Sequence, residues 1–399
     1  MLSALRKLTS RQRNVIAACY LGWMLDAFDF FILVFILKDI AAEFGTTIKA
    51  VTLAITLTLA MRPIGALLFG SLADHFGRRP LLMLNVLSYS LLEFASGFAP
   101  SLTILIVLRA LFGIAMGGEW GVGASLAIES IPASLRGLVS GILQAGYPSG
   151  YLLASIANYS LHDLIGWRGL FMIGVAPALI VLYIRRSIDE SPSFQKHEKK
   201  AVNLLTEIRK NWGLFFWAVM MMASFNFFSH GTQDLYPTFL QQQRGMSTHE
   251  VSVIAVIYNI GAILGGLVFG ILSNQIGRKK SIVIASLLAL PAIPLWTLST
   301  SATGLAIGSF LMQFFVQGAW GVVPAHLNEL SPETVRGAFP GFAYQLGNLI
   351  ASCNATLQAT IAADHDGDYA LALTLVVGIV SIVLTCIVGF GREARGKKL

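Results

Sequence analysis

Apolar residues in this chain gather in long unbroken runs, separated by short polar connections. A run of roughly 20 apolar residues is what an α-helix needs to cross ~30 Å of hydrocarbon. Such runs fall at about 14–37, 50–72, 81–98, 102–127, 138–160, 168–185, 211–235, 251–272, 281–299, 303–326, 338–362 and 370–390. The pattern predicts an all-α membrane protein with twelve transmembrane helices. Pro and Gly sit inside several runs, which membrane helices tolerate better than soluble ones. The first run is too long for a cleavable signal peptide, carries Asp26 and Asp29, and has no small-residue cleavage site after it.

Composition agrees. The chain has 399 residues, of which 55% are hydrophobic and only 12% charged. A soluble domain carries about twice that share of charge. The net charge of +7 could suggest a nucleic-acid partner, but the basic residues form no single patch. Of the 28 Lys and Arg, 22 fall on alternate connections, among them Arg11, Arg13, Arg78, Arg79, Arg136, Lys196, Lys199, Arg278, Lys279, Arg336, Arg392 and Lys397. The positive-inside rule then places both termini and the central loop in the cytoplasm. The basic excess is a topology signal, and no nucleic acid is expected. Cys19, Cys353 and Cys386 all fall inside runs and are expected to be buried thiols with no disulfide. The chain contains no Gly-x-x-x-x-Gly-Lys-Ser/Thr segment, so an ATP-driven pump is not expected. No His/Cys cluster suggests a metal, and no cofactor is expected.

A repeat organises the chain. Gly70-Ser-Leu-Ala-Asp74-His-Phe-Gly77-Arg78-Arg79 returns as Gly270-Ile-Leu-Ser-Asn274-Gln-Ile-Gly277-Arg278-Lys279. Gly118-Glu119-Trp120-Gly121 returns as Gly318-Ala319-Trp320-Gly321. The segment from Glu129 to Arg136 and Gly137 returns from Glu329 to Arg336 and Gly337. All three share an offset of 200 residues. Two six-helix halves of like topology follow, related by an axis along the membrane normal. Their expected extents are 1–186 and 211–399, with a polar cytoplasmic linker at 187–210. These loops and the 6+6 layout resemble the major facilitator superfamily over the whole chain. The resemblance implies that Asp74, Arg78, Glu129, Arg136, Arg278, Glu329 and Arg336 latch the two halves on the inner side. The alternative is that they only fix topology and helix ends.

Ionisable groups inside spans are costly, and function is their default reading. Asp26, Asp29, Arg62, Glu93, Arg109, Glu119, His230 and Asp234 qualify. By the helical rise, Asp26, Arg62 and Glu119 lie about 20, 18 and 15 Å from the inner edge, near the level where such transporters bind substrate. Arg62, the single cation at that depth, is either an anchor for a substrate carboxylate or a structural partner of Asp26 or Asp29. Glu119 lies beside small residues at 113, 117 and 121, a stripe suited to close helix packing. It has Ala319 as repeat mate, which leaves it free to carry a proton, with Asp26, Asp29 and Asp234 as further proton-coupling candidates. Arg109, in a stretch resembling the superfamily's fourth-helix Arg motif, can pair with Glu93. His326 and Glu329 read as interface residues.

The seventh run holds the most specific segment, Asn226-Phe-Phe-Ser229-His230-Gly-Thr232-Gln233-Asp234-Leu-Tyr-Pro-Thr238. Polar groups this dense inside a span must face a cavity or another polar surface. The segment resembles the seventh-helix motif of Jen-type lactate and pyruvate permeases, within the sialate:proton symporter family. Leu25-Asp26-Ala-Phe28-Asp29-Phe30 and Gly118-Glu119-Trp120-Gly121 are similar to that family too. The resemblance implies a proton-coupled symporter of a small monocarboxylate, with Asn226, His230, Gln233 and Asp234 in recognition or translocation. A sialic acid symporter is the nearest alternative. A non-transporting sensor finds no sizeable soluble domain, and an intramembrane enzyme finds no evident nucleophile geometry. The expected partners are a small organic anion, protons and the lipid of an inner membrane, and the chain is expected to act as a monomer.

Overall fold

The computed structural model describes residues 8–46, 48–176, 179, 204–336 and 338–397, and the regular structure among them is helical. Eight helices among these residues are long and apolar enough to cross a membrane. The remaining crossings are more polar, broken or partly undescribed. The first span is Ser10–Phe35, the second Ile48–Phe76 and the third Arg78–Ser96. The fourth is two segments, Leu102–Gly117 and Glu119–Glu129, meeting at Gly118. The fifth begins at Arg136 in a helix that runs to Ile173 but bends at Gly166, where φ is 63°. The sixth, expected at 168–185, therefore starts after that bend, and its continuation past 176, apart from residue 179, lies outside the described residues. The same holds for the expected linker up to 203. Its described end forms a short helix, Leu204–Lys210.

The second half repeats the plan. The seventh span is Trp212–Gln233, the eighth Thr248–Ile276 and the ninth Arg278–Ala289, extended by irregular turns to Leu298. The tenth is Ala302–Trp320 followed by Val323–Leu330, the eleventh Phe339–Ala351 followed by Asn354–Asp364, and the twelfth Tyr369–Phe390. Local chemistry repeats as well. Ser101 and Ser301, 200 residues apart, each accept a backbone N–H at the start of the fourth and tenth spans. Gly77 and Gly277 open the third and ninth spans at φ 98° and 102°, a backbone region that only glycine enters cheaply.

Packing follows the same operator. Within each half the first span packs on the fifth and the second on the fourth, as the seventh does on the eleventh and the eighth on the tenth. Across the halves the fifth meets the eighth and the second meets the eleventh. Glycines permit the close approaches, because without a Cβ two backbones can touch. A Cβ on Gly113 or Gly117 would run into the carbonyls of Thr58 and Arg62, and one on Gly265 into that of Phe314. Gly121, the third member of the small-residue stripe, touches Gly341 of the eleventh span. Of the cysteines, only Cys19 is buried. Cys353 and Cys386 are exposed on their helices, contrary to expectation, because an apolar span of a membrane protein has an outward face that contacts lipid. They remain free thiols.

Candidate functional site

Arg62 is on the second span, 3% exposed, and directs Nη2 to Met116 Sδ at 3.3 Å. Its guanidinium lies 5.2 Å from the centre of the Phe30 ring, and Nε has no hydrogen-bond partner. Among the described residues it forms no ion pair with Asp26 or Asp29. Its charge is felt instead at Tyr147 of the fifth span, Tyr344 of the eleventh and His230 of the seventh. Asp26, 1% exposed, acts on the same two tyrosines. The centre thus brings groups from both halves around one permanent cation.

The polar segment of the seventh span divides between two surroundings. At about 100° per residue its side chains from Thr232 to Asp234 fan over roughly 200° of the helix. On one edge, Gln233 Nε2 donates to Gln313 Oε1 at 3.0 Å and Gln313 Nε2 to Thr232 Oγ1 at 2.9 Å, while Gln317 Nε2 reaches Ser229 Oγ at 3.4 Å. These bonds face the tenth span, inside the second half. On the other edge, His230 Nδ1 meets Asp234 Oδ1 at 3.1 Å, and the imidazole faces Asn348 of the eleventh span and the Arg62 charge. Asn226 donates Nδ2 to the Met222 carbonyl at 2.8 Å. His230 and Asp234 therefore share the edge toward the eleventh span and Arg62, whereas Gln233 faces the tenth span.

The remaining intramembrane acids also separate. Glu119 is the first residue after the break at Gly118 and lines a small void with Cys19, Trp23, Trp120 and Leu143. Asp29 turns from the centre toward Glu93 and Arg109. Arg109 Nη2 contacts Glu93 Oε2 at 2.5 Å and Ser96 Oγ at 2.8 Å, with Phe112 and Phe171 over its guanidinium. A Cβ on Gly174 would stand 2.7 Å from Asp29 Oδ1 and 2.9 Å from Glu93 Cγ, so this glycine makes room for both acids. Two buried carboxyls share one arginine, and one proton would balance the cluster's charge.

The face bearing the repeated basic loops is closed by ion pairs. Arg78 pairs with Glu129, and Arg278 grips Glu329 through Nε and Nη2, both at 3.0 Å. Arg136 reaches Glu329 of the other half at 3.7 Å, and Arg336 acts on Glu129 in the reciprocal sense. Asp74 lies near the end of the second span, and its side chain falls outside the described residues. Neutral bonds add to the closure. Ser125 Oγ, with one proton to donate, lies 2.8 Å from the Arg336 carbonyl and 3.0 Å from Asn328 Oδ1, and Ser140 Oγ accepts the Ala325 N–H at 3.0 Å.

Sequence analysis did not single out Tyr147, Tyr344, Asn348, Gln313 or Gln317. The two glutamines were visible as a polar i, i+4 pair in an apolar run. The tyrosines carried no signal, since aromatic residues are common throughout the chain.

Among known proteins, the Major Facilitator Superfamily profile matches residues 19–248, and that of "Sugar (and other) transporter" matches 202–390. A carboxylic acid transporter protein homolog of Saccharomyces cerevisiae is 29% identical over 430 residues, spanning 98% of this chain and 69% of the yeast protein. The sialic acid transporter NanX of Escherichia coli is 30% identical over 397 residues, 97% of this chain and 96% of its own. The solved proton:xylose symporter XylE superposes with a TM-score of 0.77 at 16% identity over 97% of each chain, a likeness of fold.

Proposed function

The chain belongs to the Major Facilitator Superfamily, a multi-pass membrane transporter and not an enzyme, and on that premise we propose a proton-coupled symporter of a small monocarboxylate of the lactate or pyruvate type. It works by alternating access in an inner membrane, with both termini and the linker at 187–210 in the cytoplasm. The observation that carries this reading is Arg62, a buried guanidinium with no carboxylate partner among the described residues, facing groups of both halves. A guanidinium keeps its proton and offers a planar fork to a carboxylate. In a site shielded from water that attraction is strengthened. An arriving carboxylate would supply the missing partner, and His230 and Asn226 would hold its neighbouring hydroxyl or keto group, with Gln233 behind them. Similarity to a carboxylic acid transporter homolog supports the substrate class.

A permanent cation attracts the anion, and protonation of Glu119, Asp26, Asp29 or Asp234 carries the co-transported charge. Loading of both relieves the buried charge and lets the halves rock. The pairs of Arg78, Arg278, Glu129, Glu329, Arg136 and Arg336, with Asp74, latch the cytoplasmic face while the site opens outward. The similarity to NanX favours one rival, a sialic acid substrate. Uptake into proteoliposomes separates them: labelled lactate or pyruvate should accumulate when the outside is acidified, and labelled sialic acid should not. Glu119→Gln should lose accumulation yet keep exchange. Accumulation of lactate without any response to a pH gradient would end the symport reading, and preferential uptake of sialic acid would end the monocarboxylate one.

A further inference from the structure

The Phe30 ring stands 5.2 Å from the Arg62 guanidinium, and Met116, which Arg62 contacts, lies four residues before Trp120 on the fourth span. Tyr344 meets Trp23 of the first span at 6.4 Å between centroids, Trp120 of the fourth at 4.8 Å and Trp320 of the tenth at 5.6 Å. Trp120 and Trp320 are repeat mates, so one tyrosine stands between the two equivalent indoles of the halves. Its own repeat mate is Gln144, which accepts the Trp120 indole N–H at 3.3 Å. The scaffold therefore does not require a ring at this position. Trp23 also stacks on Tyr147 at 5.5 Å, closing the aromatic wall from the fifth span.

The backbone under Tyr344 is held on both sides. Three residues before it, a Cβ on Gly341 would stand 2.9 Å from Gly121 Cα, and three residues after it, one on Gly347 would stand 2.5 Å from Ala223 N. The first contact crosses the halves, next to Trp120. The second stays inside the second half. The two contacts hold the backbone under the ring against both halves while the basic face is closed.

Resting on the monocarboxylate reading of this site, we propose that Tyr344 is a specificity-determining residue. Its bulk sets the upper size of the acid that can sit at Arg62 when the site is closed. The residue acts by volume: the ring occupies the space into which a substituent on the carbon next to the carboxylate would extend. Small acids fit beneath it, and acids bearing a phenyl group collide with it.

The test uses the purified full chain and reads thermal stabilisation by lactate, pyruvate and phenyllactate, since a ligand that binds the folded state raises its melting point. The parent should respond to lactate or pyruvate alone. Tyr344→Ala should gain a response to phenyllactate at a concentration at least about tenfold lower than the parent needs, the scale on which pockets sort substrates by bulk. Tyr344→Leu should gain it in part, and Tyr344→Phe, which keeps the ring, should match the parent. A folded Tyr344→Ala or Tyr344→Leu protein with the parent's range overturns the proposal. So does a Tyr344→Phe protein with a widened range, which would assign selection to the hydroxyl, and so does failure of both truncated proteins to fold. Binding of lactate by the parent with an unchanged range in Tyr344→Ala sinks this inference alone. A parent stabilised by sialic acid but by no monocarboxylate sinks the functional reading beneath it.

Discussion

Arg62 and Arg109 are both buried arginines of the first half, and their surroundings differ. Arg109 is paired with Glu93 and bonded to Ser96, with Asp29 close by. Removing it leaves two buried carboxyls without compensation, which costs about 3–5 kcal/mol in comparable buried pairs. Arg109→Met should lower the melting temperature sharply, whereas Glu93→Gln, which leaves Asp29 to balance the arginine, should lower it far less. Equal losses measured by thermal unfolding in detergent would show that Asp29 does not share the charge. Arg62 has no such pair among the described residues, so its replacement should be mild for stability and severe for binding. Arg62→Lys keeps the charge and loses the fork. Affinity for lactate should fall about tenfold or more, as when one charge-assisted hydrogen bond of about 1.5–3 kcal/mol is lost. Unchanged affinity in a binding titration would move the anchor elsewhere.

At the scale of elements, glycines decide how near helices approach. Gly117 and Gly265 lie where the second span meets the fourth and the eighth meets the tenth, and each faces a carbonyl of the neighbouring backbone. A methyl there must push two helices apart, because the obstacle is main chain and cannot rotate away. Gly117→Ala and Gly265→Ala should each destabilise by about 1–3 kcal/mol, the usual scale of overpacking. Gly213, with nothing near its missing Cβ, serves as the control, and Gly213→Ala should be close to neutral. Thermal unfolding of the three variants checks this, and a Gly117→Ala protein as stable as Gly213→Ala would contradict the close approach.

At the scale of the whole molecule two similar halves meet through ion pairs on the basic face, and these pairs are not fully symmetric. Glu329 holds Arg278 of its own half by two bonds and reaches Arg136 of the other at 3.7 Å. Glu129 pairs with Arg78 and feels Arg336 at longer range. Glu329→Gln should therefore loosen the basic face more than Glu129→Gln does. A cysteine at Ser140, fully buried here against Ala325, reports it. Its labelling by a membrane-impermeant maleimide applied to the basic face should rise several-fold in Glu329→Gln and less in Glu129→Gln. The reverse order would place the stronger cross-half tie on Glu129.

The sequence by itself determined the helical membrane architecture and the two-half plan. Apolar runs report spans because the bilayer demands that length, and three motifs at one 200-residue offset report the repeat. It also brought out the buried charges and the polar seventh helix, since both are expensive in hydrocarbon and stand out in an apolar chain. Only the tertiary structure decided which of these groups meet. Asp26 and Asp29 are three residues apart, yet one faces the centre and the other the Glu93–Arg109 cluster. His230 and Gln233 are equally close in sequence, and they face different helices. Tyr344 is one of ten tyrosines, and nothing in its neighbours along the chain distinguishes it. Periodicity tells which residues share a helix face, but the partner of that face is set by helix rotation and crossing. Those depend on glycine contacts between separate spans, such as Gly117 with Arg62 and Gly341 with Gly121, and no local pattern encodes them.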